Sequence, residues 1–238
     1  SDSTEVFYTC LDPLVSDGHL DPDGDGLSNT NEVLRANPIS PCIGDTDGDG
    51  LGDLVEQRLL LDPEMHFMAR IALEGILDPA GARALQGALE QTTDARLAVG
   101  LLSSLSERRA VGAVPAVEAK LRGSDLEVQR AALLALGKIG SRESLRVLET
   151  TKPDQRLTST WEESLLIAAT RCAATDRPAA AATLRRLLAE ASPPTRGAAL
   201  VGLGNLGELS AEDWHRAAAA PEKHLREAAV ALSASGGH

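Results

Sequence analysis

The sequence predicts an all-α protein in which a stack of short helix pairs follows a loop-rich, acidic N-terminal segment. Aromatic residues are 2% and hydrophobic residues 43% of the 238 residues, and an Ala- and Leu-rich chain with few aromatics favours close-packed helices over a β-sandwich. Residues 63–238 contain recurring amphipathic stretches, whereas residues 1–62 are rich in Asp, Gly and Pro and lack periodicity. We therefore expect two domains, 1–62 and 63–238.

The net charge of −12 lies entirely in the first of these domains. Residues 1–62 contain fourteen Asp and Glu against two Arg, and residues 63–238 contain 21 acidic and 21 basic residues. A dense group of carboxylates repels itself unless cations neutralise it. The neutral remainder argues against nucleic acid as a partner, and the sequence has no apolar run long enough to predict a membrane span.

Five similar stretches in the second domain each carry an Arg near the start and apolar residues at i, i+3, i+4 and i+7, the pattern of a core-facing helix. They are MARIALEGIL from Met68, ARLAVGLLSSLS from Ala95, VQRAALLALGKIG from Val128, TRGAALVGLGNLG from Thr195 and LREAAVALSASG from Leu225. Helix-start signals such as Ser124-Asp125 and Ser192-Pro193 precede them. Partner helices are predicted at 114–121, 144–150 and 179–191, and an irregular copy has its first helix at 161–174.

The copies begin about every 30 residues, a period that predicts an α-solenoid in which each helix pair buries its apolar face against the next. Residues 125–149, DLEVQRAALLALGKIGSRESLRVLE, resemble the short bacterial HEAT repeat. The resemblance implies a HEAT-like solenoid over residues 63–238. It does not specify a function, because such repeats bind through surface residues that no motif marks.

Two acidic loops of twelve residues, 21–32 and 45–56, carry oxygen-bearing residues at the spacing of an EF-hand calcium loop. Positions 1, 3, 5 and 12 supply side-chain oxygens and position 7 a backbone carbonyl, while the side chain at position 9 ligates directly or through water. The predicted ligands of the first loop are Asp21, Asp23, Asp25, Leu27, Asn29 and Glu32, and those of the second are Asp45, Asp47, Asp49, Leu51, Asp53 and Glu56. All-oxygen loops favour calcium over zinc, and a flexible cage favours it over magnesium. We therefore expect two calcium ions.

The segment between the loops argues against a calmodulin-like switch, which needs a helix on both sides of each loop. Pro38, Pro41 and Gly44 leave room there for only a short helical turn. The pattern DPDGDGLSNTNEVLRANP followed by DTDGDGLGDLVE resembles the bacterial relatives of thrombospondin type 3 repeats. That resemblance implies an extracellular or cell-surface location and a rigid, calcium-stapled role. A dockerin-like module is the nearest alternative, although Glu32 and Glu56 stand where dockerin loops usually end in Asp.

Cys10 and Cys42 bracket the first loop, and Cys172 lies alone in a helical stretch. In a secreted protein a Cys10–Cys42 disulfide would close about 33 residues and contribute about 3–4 kcal/mol in the chain-entropy model. The alternative is a pair of thiols in a cytosolic protein. Cys172 has Ala neighbours and no activating base, so we expect it to be a buried small apolar residue.

The remaining motifs do not predict catalysis. Residues 202–207 match the dinucleotide pattern GxGxxG, but they follow a helix, and we expect a helix end. The five histidines lack ligand spacing, and His19 is expected in an exposed turn. Trp161 and Trp214 are expected in the core, with a partner-binding role as the alternative.

The sequence as a whole predicts a non-enzymatic, calcium-binding scaffold that is secreted, periplasmic or on the cell surface. In this hypothesis calcium orders the N-terminal arm and the solenoid binds a protein partner. The alternative is a structural subunit of a surface assembly whose acidic segment docks in trans; a HEAT-like enzyme is a third and weaker one.

Overall fold

The computed structural model describes residues 10–11, 17–24, 28–30, 40–44, 67, 69–71 and 79–234. Regular secondary structure within these residues is helical throughout, which confirms the all-α prediction. The chain divides into two compact units, residues 1–108 and residues 109–238. The predicted domain boundary between residues 62 and 63 lies outside the described residues and stays a prediction.

The first unit contains the helices α1 (Pro79–Gln91) and α2 (Ala95–Glu107), which pack against each other. Five leucines on their facing sides are completely buried: Leu85, Leu89, Leu101, Leu102 and Leu105. Each such leucine stabilises the unit by about 1.5–3 kcal/mol relative to an exposed position. This leucine-rich contact is the main apolar core in the described part of the first unit.

Residues 67 and 69–71 are also helical, and residues 69–71 lie in the first of the five predicted stretches. Arg70 donates from one guanidinium nitrogen to the carbonyl oxygen of Gly100 at 3.0 Å and to the Ser104 hydroxyl at 2.9 Å. The Arg near the start of this stretch therefore binds the helix of the next stretch, about 30 residues later.

The second unit is a series of short helices joined by tight turns. In chain order they are α3 (Val114–Leu121), α4 (Leu126–Ile139), α5 (Arg142–Thr150), α6 (Thr158–Cys172), α7 (Arg177–Glu190), α8 (Pro193–Asn205), α9 (Ala211–Ala218) and α10 (Lys223–Ala234), with single 3-10 turns at Val111–Ala113 and Gln155–Leu157.

Side-chain caps set where the helices begin, because the first backbone N–H groups of a helix need acceptors. The Asp94 carboxylate accepts from Leu97 N at 2.8 Å, and Asp125 caps α4 in the same way. Ser141 forms a capping box with Ser144 at the start of α5. The predicted start of α4 is therefore confirmed, and α8 begins at Pro193, in the predicted signal Ser192-Pro193.

Neighbouring helices pack in pairs, and alternate helices pack as well: α4 with α6, α6 with α8 and α8 with α10. Glycines allow the close approach. A Cβ on Gly137 would lie 3.0 Å from the Cα atom of Ser164, and a Cβ on Gly197 would lie 3.0 Å from the carbonyl oxygen of His224. These glycines lie on the faces where α4 meets α6 and α8 meets α10.

Polar bonds join positions 26 to 34 residues apart, close to the predicted repeat. The Ser192 N–H donates to the Glu162 carboxylate at 3.1 Å, Arg196 donates to Glu222 at 2.8 Å, and the Thr183 hydroxyl donates to Glu149 at 2.6 Å. Such bonds between successive helix pairs are what a stack of repeats requires. The arrangement confirms packed helix pairs, while the HEAT-like solenoid remains a prediction.

Two helices, α1 and α9, were not among the predicted elements. Helix α9 has eight residues, too few for a clear apolar period, and its start is marked by the Ser210 hydroxyl, which accepts from Asp213 N at 3.1 Å. Glycines interrupt the apolar pattern of α1. The predicted partner helices at 114–121, 144–150 and 179–191 and the irregular copy at 161–174 correspond to α3, α5, α7 and α6, and are confirmed.

Candidate metal centre

Cys10 and Cys42 form a disulfide, with sulfur atoms 1.98 Å and Cα atoms 5.6 Å apart. The bond confirms the predicted pairing and joins the two ends of the segment that contains the first acidic loop. Leu11, beside Cys10, is buried at 8% exposure. Cys172 is free and completely buried, as predicted.

The first acidic loop begins with a tight turn held by its first predicted ligand. The Asp21 carboxylate accepts from the backbone N–H of Gly24 at 2.9 Å. Gly24 has a φ of +75°, a left-handed conformation in which a Cβ is strained, so glycine suits this position. The turn brings the start of the loop back on itself, as a loop that surrounds an ion requires.

Asn29, the ligand predicted at position 9, is at 2% exposure the most buried polar residue among the described residues of this segment. Its backbone N–H donates to Leu20 O at 2.9 Å, and its side-chain Nδ2 donates to Asp17 O at 2.8 Å. Its side-chain oxygen Oδ1 is buried and accepts no hydrogen bond from the described residues. A buried amide oxygen without a hydrogen bond costs about 1–3 kcal/mol, and a bond from that oxygen to a cation offsets this cost.

The turn that holds Asn29 was not anticipated from the ligand pattern. Asp17, Gly18 and Leu20 all offer backbone carbonyls to it or to the next residue, with Thr30 N donating to Gly18 O at 2.8 Å. Asp17 itself is 6% exposed. Its sequence signal is the Asp-Gly pair at 17–18, a common turn former. His19 is exposed in this turn, as predicted.

The structure describes three of the twelve predicted calcium ligands: Asp21, Asp23 and Asn29. The other nine, Asp25, Leu27, Glu32, Asp45, Asp47, Asp49, Leu51, Asp53 and Glu56, lie outside the described residues. Among the described residues, no three His, Cys, Asp or Glu side chains form a group that could hold a metal ion. The residues of the first loop that are described fit calcium through Asn29 Oδ1, and the rest of the ligand set stays a prediction.

The glycine motif at 202–207 is a helix end, as predicted. Gly202 and Gly204 lie inside α8, and Gly207 follows it with a φ of +62°. Glu208 N donates to Leu203 O at 2.9 Å, the bond that closes a helix C-terminus. Gly140 ends α4 with the same left-handed backbone.

Both tryptophans are partly buried, between the two predicted environments. The indole N–H of Trp161 donates to Leu148 O at 2.8 Å, and that of Trp214 donates to Ala229 O at 3.0 Å. Trp214 also packs against the apolar cluster formed by α8, α9 and α10. Each ring therefore joins one helix to the next, and its remaining surface faces solvent.

A cavity of about 270 Å³ opens between α7, α8, α9 and α10. Its floor is apolar and its rim carries charges; the lining includes Leu188, Leu225, Arg185, Arg196, Arg216 and Asp213. Arg216 is 69% exposed and pairs with Glu212 at 2.6 Å. Exposed pairs of this kind contribute about 0–1 kcal/mol, so a ligand carboxylate can replace the internal one.

Contacts with arginines lower the pKa values of two carboxyl groups in the second unit. Hydrogen bonds from the side chain and the backbone of Arg156 lower the pKa of Asp154 to about 2. Hydrogen bonding by Arg185, with the charge of Arg177, lowers the pKa of Glu208. Both groups are therefore ionised at neutral pH and act as fixed negative partners of arginines rather than as proton carriers.

No protein-family model matches this chain, and no curated protein matches it at a significant level. Every helix in the described part is too short or too polar to cross a membrane.

Proposed function

We propose that this chain is an extracellular or periplasmic calcium-binding scaffold protein. Calcium orders the acidic N-terminal segment, and a HEAT-like solenoid of helix pairs binds a protein partner. The observation that carries the calcium proposal is the buried Asn29 Oδ1, which accepts no hydrogen bond from the described residues and stands at the ninth position of a twelve-residue acidic loop. An oxygen at that position ligates calcium directly or through a water molecule.

Two further observations support the location and the role. The Cys10–Cys42 disulfide favours an oxidising compartment, because thiols are kept reduced in the cytosol. The charge of −12 in residues 1–62 favours divalent cations, since two calcium ions would offset four of these charges. Calcium supplies charge neutralisation and coordination here, and the chain's own residues supply oxygen ligands and the turn that positions them.

The calcium proposal is tested by titrating the chelator-treated full chain with calcium in a calorimeter. We expect two sites in the unaltered chain and one strong site in Glu32→Gln or Glu56→Gln, because each substitution removes a bidentate carboxylate from one loop. Chelation should also expose residues 1–62 to protease while the helical part stays folded.

The matched control is Glu163→Gln, which removes one exposed carboxylate from α6 and should leave both sites intact. A wild-type chain that releases no heat with calcium and is cut equally with and without chelator would contradict the proposal.

The partner half of the proposal is supported by the cavity between α7, α8, α9 and α10. Its apolar floor and arginine rim suit a protein segment that presents an apolar side chain beside a carboxylate, and arginine is enriched among the residues that dominate interface energy. Such a segment would place its apolar side chain near Leu225 and its carboxylate near Arg216.

This contact is tested by capture of partners from the envelope or secreted fraction in the presence of calcium. Arg216→Glu should lower retention of the partner by about tenfold or more, because it puts like charges together. Arg122→Glu is the control, since Arg122 is 72% exposed and also pairs with a Glu four residues earlier at 2.6 Å. Equal retention by both variants would exclude the cavity as the contact.

A further inference from the structure

The backbone turn at 17–20 and the side chain of Asn29 form one hydrogen-bonded unit that lies partly outside the predicted calcium loop. Leu20 N donates to Asp17 O at 2.8 Å and closes the turn. The three carbonyls of Asp17, Gly18 and Leu20 then accept from Asn29 Nδ2, Thr30 N and Asn29 N at 2.8, 2.8 and 2.9 Å. The turn therefore fixes both the backbone and the side chain at position 9.

These bonds determine which atom of the Asn29 amide remains available. The Nδ2 atom donates to a backbone carbonyl, so the amide plane is oriented and Oδ1 is the atom left without a hydrogen bond from the described residues. A backbone carbonyl only accepts, so its partner must be a donor. An aspartate at position 29 would place a carboxylate oxygen against the Asp17 carbonyl and would lose this bond.

The contact between the turn and the segment that carries Asn29 and Thr30 is also close. A Cβ on Gly18 would overlap the Thr30 hydroxyl oxygen, so the Thr30 side chain has to move when residue 18 carries a side chain. Gly18 and Thr30 are the pair whose backbones are joined by the Thr30 N to Gly18 O bond. The close approach and the hydrogen bonds act on the same two segments.

We propose that the Asp17–Leu20 turn is a positioning element of the first calcium loop, which presents Asn29 Oδ1 to the ion and selects asparagine over aspartate at position 29. The inference rests on the calcium-binding function proposed above. An added carboxylate ordinarily raises the calcium affinity of such loops. The inference predicts the opposite at position 29, namely that Asn29→Asp lowers the calcium affinity. The second loop has Asp53 at the equivalent position.

The test measures calcium affinity of the first loop in the full chain, with the second loop inactivated by Glu56→Ala. Asn29→Asp should weaken calcium binding by about tenfold, since a buried donor–acceptor pair is lost. In the reciprocal background, Glu32→Ala, the substitution Asp53→Asn should weaken the second loop through loss of charge. Tighter or equal binding by Asn29→Asp overturns the inference.

Terbium luminescence gives a readout that general destabilisation does not produce. Terbium takes the place of calcium in oxygen sites, and its lifetime in H₂O and D₂O counts bound water. Asn29→Ala should bind terbium with about one additional water, because Oδ1 no longer occupies a ligand position. An unchanged number of bound waters overturns the ligand role.

Gly18→Ala tests the turn without altering any predicted ligand. It should weaken calcium binding, and the additional change Thr30→Ala should restore much of the affinity by removing the atom that the new Cβ meets. Affinity of Gly18→Ala equal to that of the unaltered loop overturns the inference. Absence of calcium binding in the wild-type chain would overturn the proposed function as well. Calcium binding by the wild-type chain together with unchanged affinity of the variants would overturn only the positioning role of the turn.

Discussion

The acidic loop region and the helical unit bury different kinds of residue. In the described residues between 17 and 30, the buried side chains are polar, with Asp17 at 6% and Asn29 at 2% exposure. In the second unit the fully buried residues are mostly Leu and Ala, such as Leu136, Leu165 and Ala199. Burial of apolar surface stabilises the second kind of region by itself. The first kind depends on hydrogen bonds and a covalent link, and in the proposed function on a cation bound by its oxygens.

The largest expected effect comes from removing the Cys10–Cys42 disulfide by changing both residues to Ser. In the chain-entropy model, loss of a disulfide that closes about 33 residues lowers the folding stability of the N-terminal segment by about 3–4 kcal/mol. We expect faster proteolysis of residues 1–62 in saturating calcium. The thermal unfolding of the helices, followed by far-UV circular dichroism, should not change.

The control for this experiment is Cys172→Ser, which puts a hydroxyl at a completely buried position of α6. It should lower the stability of the helical unit by about 1–3 kcal/mol and leave the proteolysis of residues 1–62 as it is. If both variants change the same measurement, the two regions are not ordered by separate forces.

Most of the helical part could be predicted because its signals are local. The apolar period and the caps at Asp94 and Asp125 lie within a few residues of the helix starts that they set. A hydrogen bond at the start of α8 was not predictable in this way. Ser192 N donates to the buried carboxylate of Glu162, thirty residues earlier in the chain. A bond between distant residues appears only once the helices are packed.

The candidate metal site shows the same limit. The spacing of acidic residues predicts Asp21, Asp23 and Asn29 as ligands, since every position of the loop pattern lies within twelve residues. The pattern does not predict which amide atom of Asn29 would face the proposed ion. That choice depends on the carbonyls of the 17–20 turn, outside the pattern, and on the direction of the Nδ2 hydrogen bond.

At the close approach of α4 and α6, helix propensity and helix packing have opposite effects on a Gly→Ala substitution. Alanine is a better helix former than glycine by about 0.5–1 kcal/mol. At Gly137, however, the new Cβ would lie 3.0 Å from both the Cα and the carbonyl oxygen of Ser164. Backbone atoms cannot turn aside as a flexible side chain can, so α4 and α6 must separate.

We therefore expect Gly137→Ala to lower the free energy of unfolding by about 1–3 kcal/mol, a typical cost of overpacking. The control is Gly87→Ala in α1, where no atom lies within 4 Å of the new Cβ and the substitution should stabilise by about 0.5–1 kcal/mol. Urea unfolding of the two variants measures both values. If Gly137→Ala stabilises as Gly87→Ala does, the glycine is not required for helix contact, and the helical part tolerates wider spacing than its packed pairs indicate.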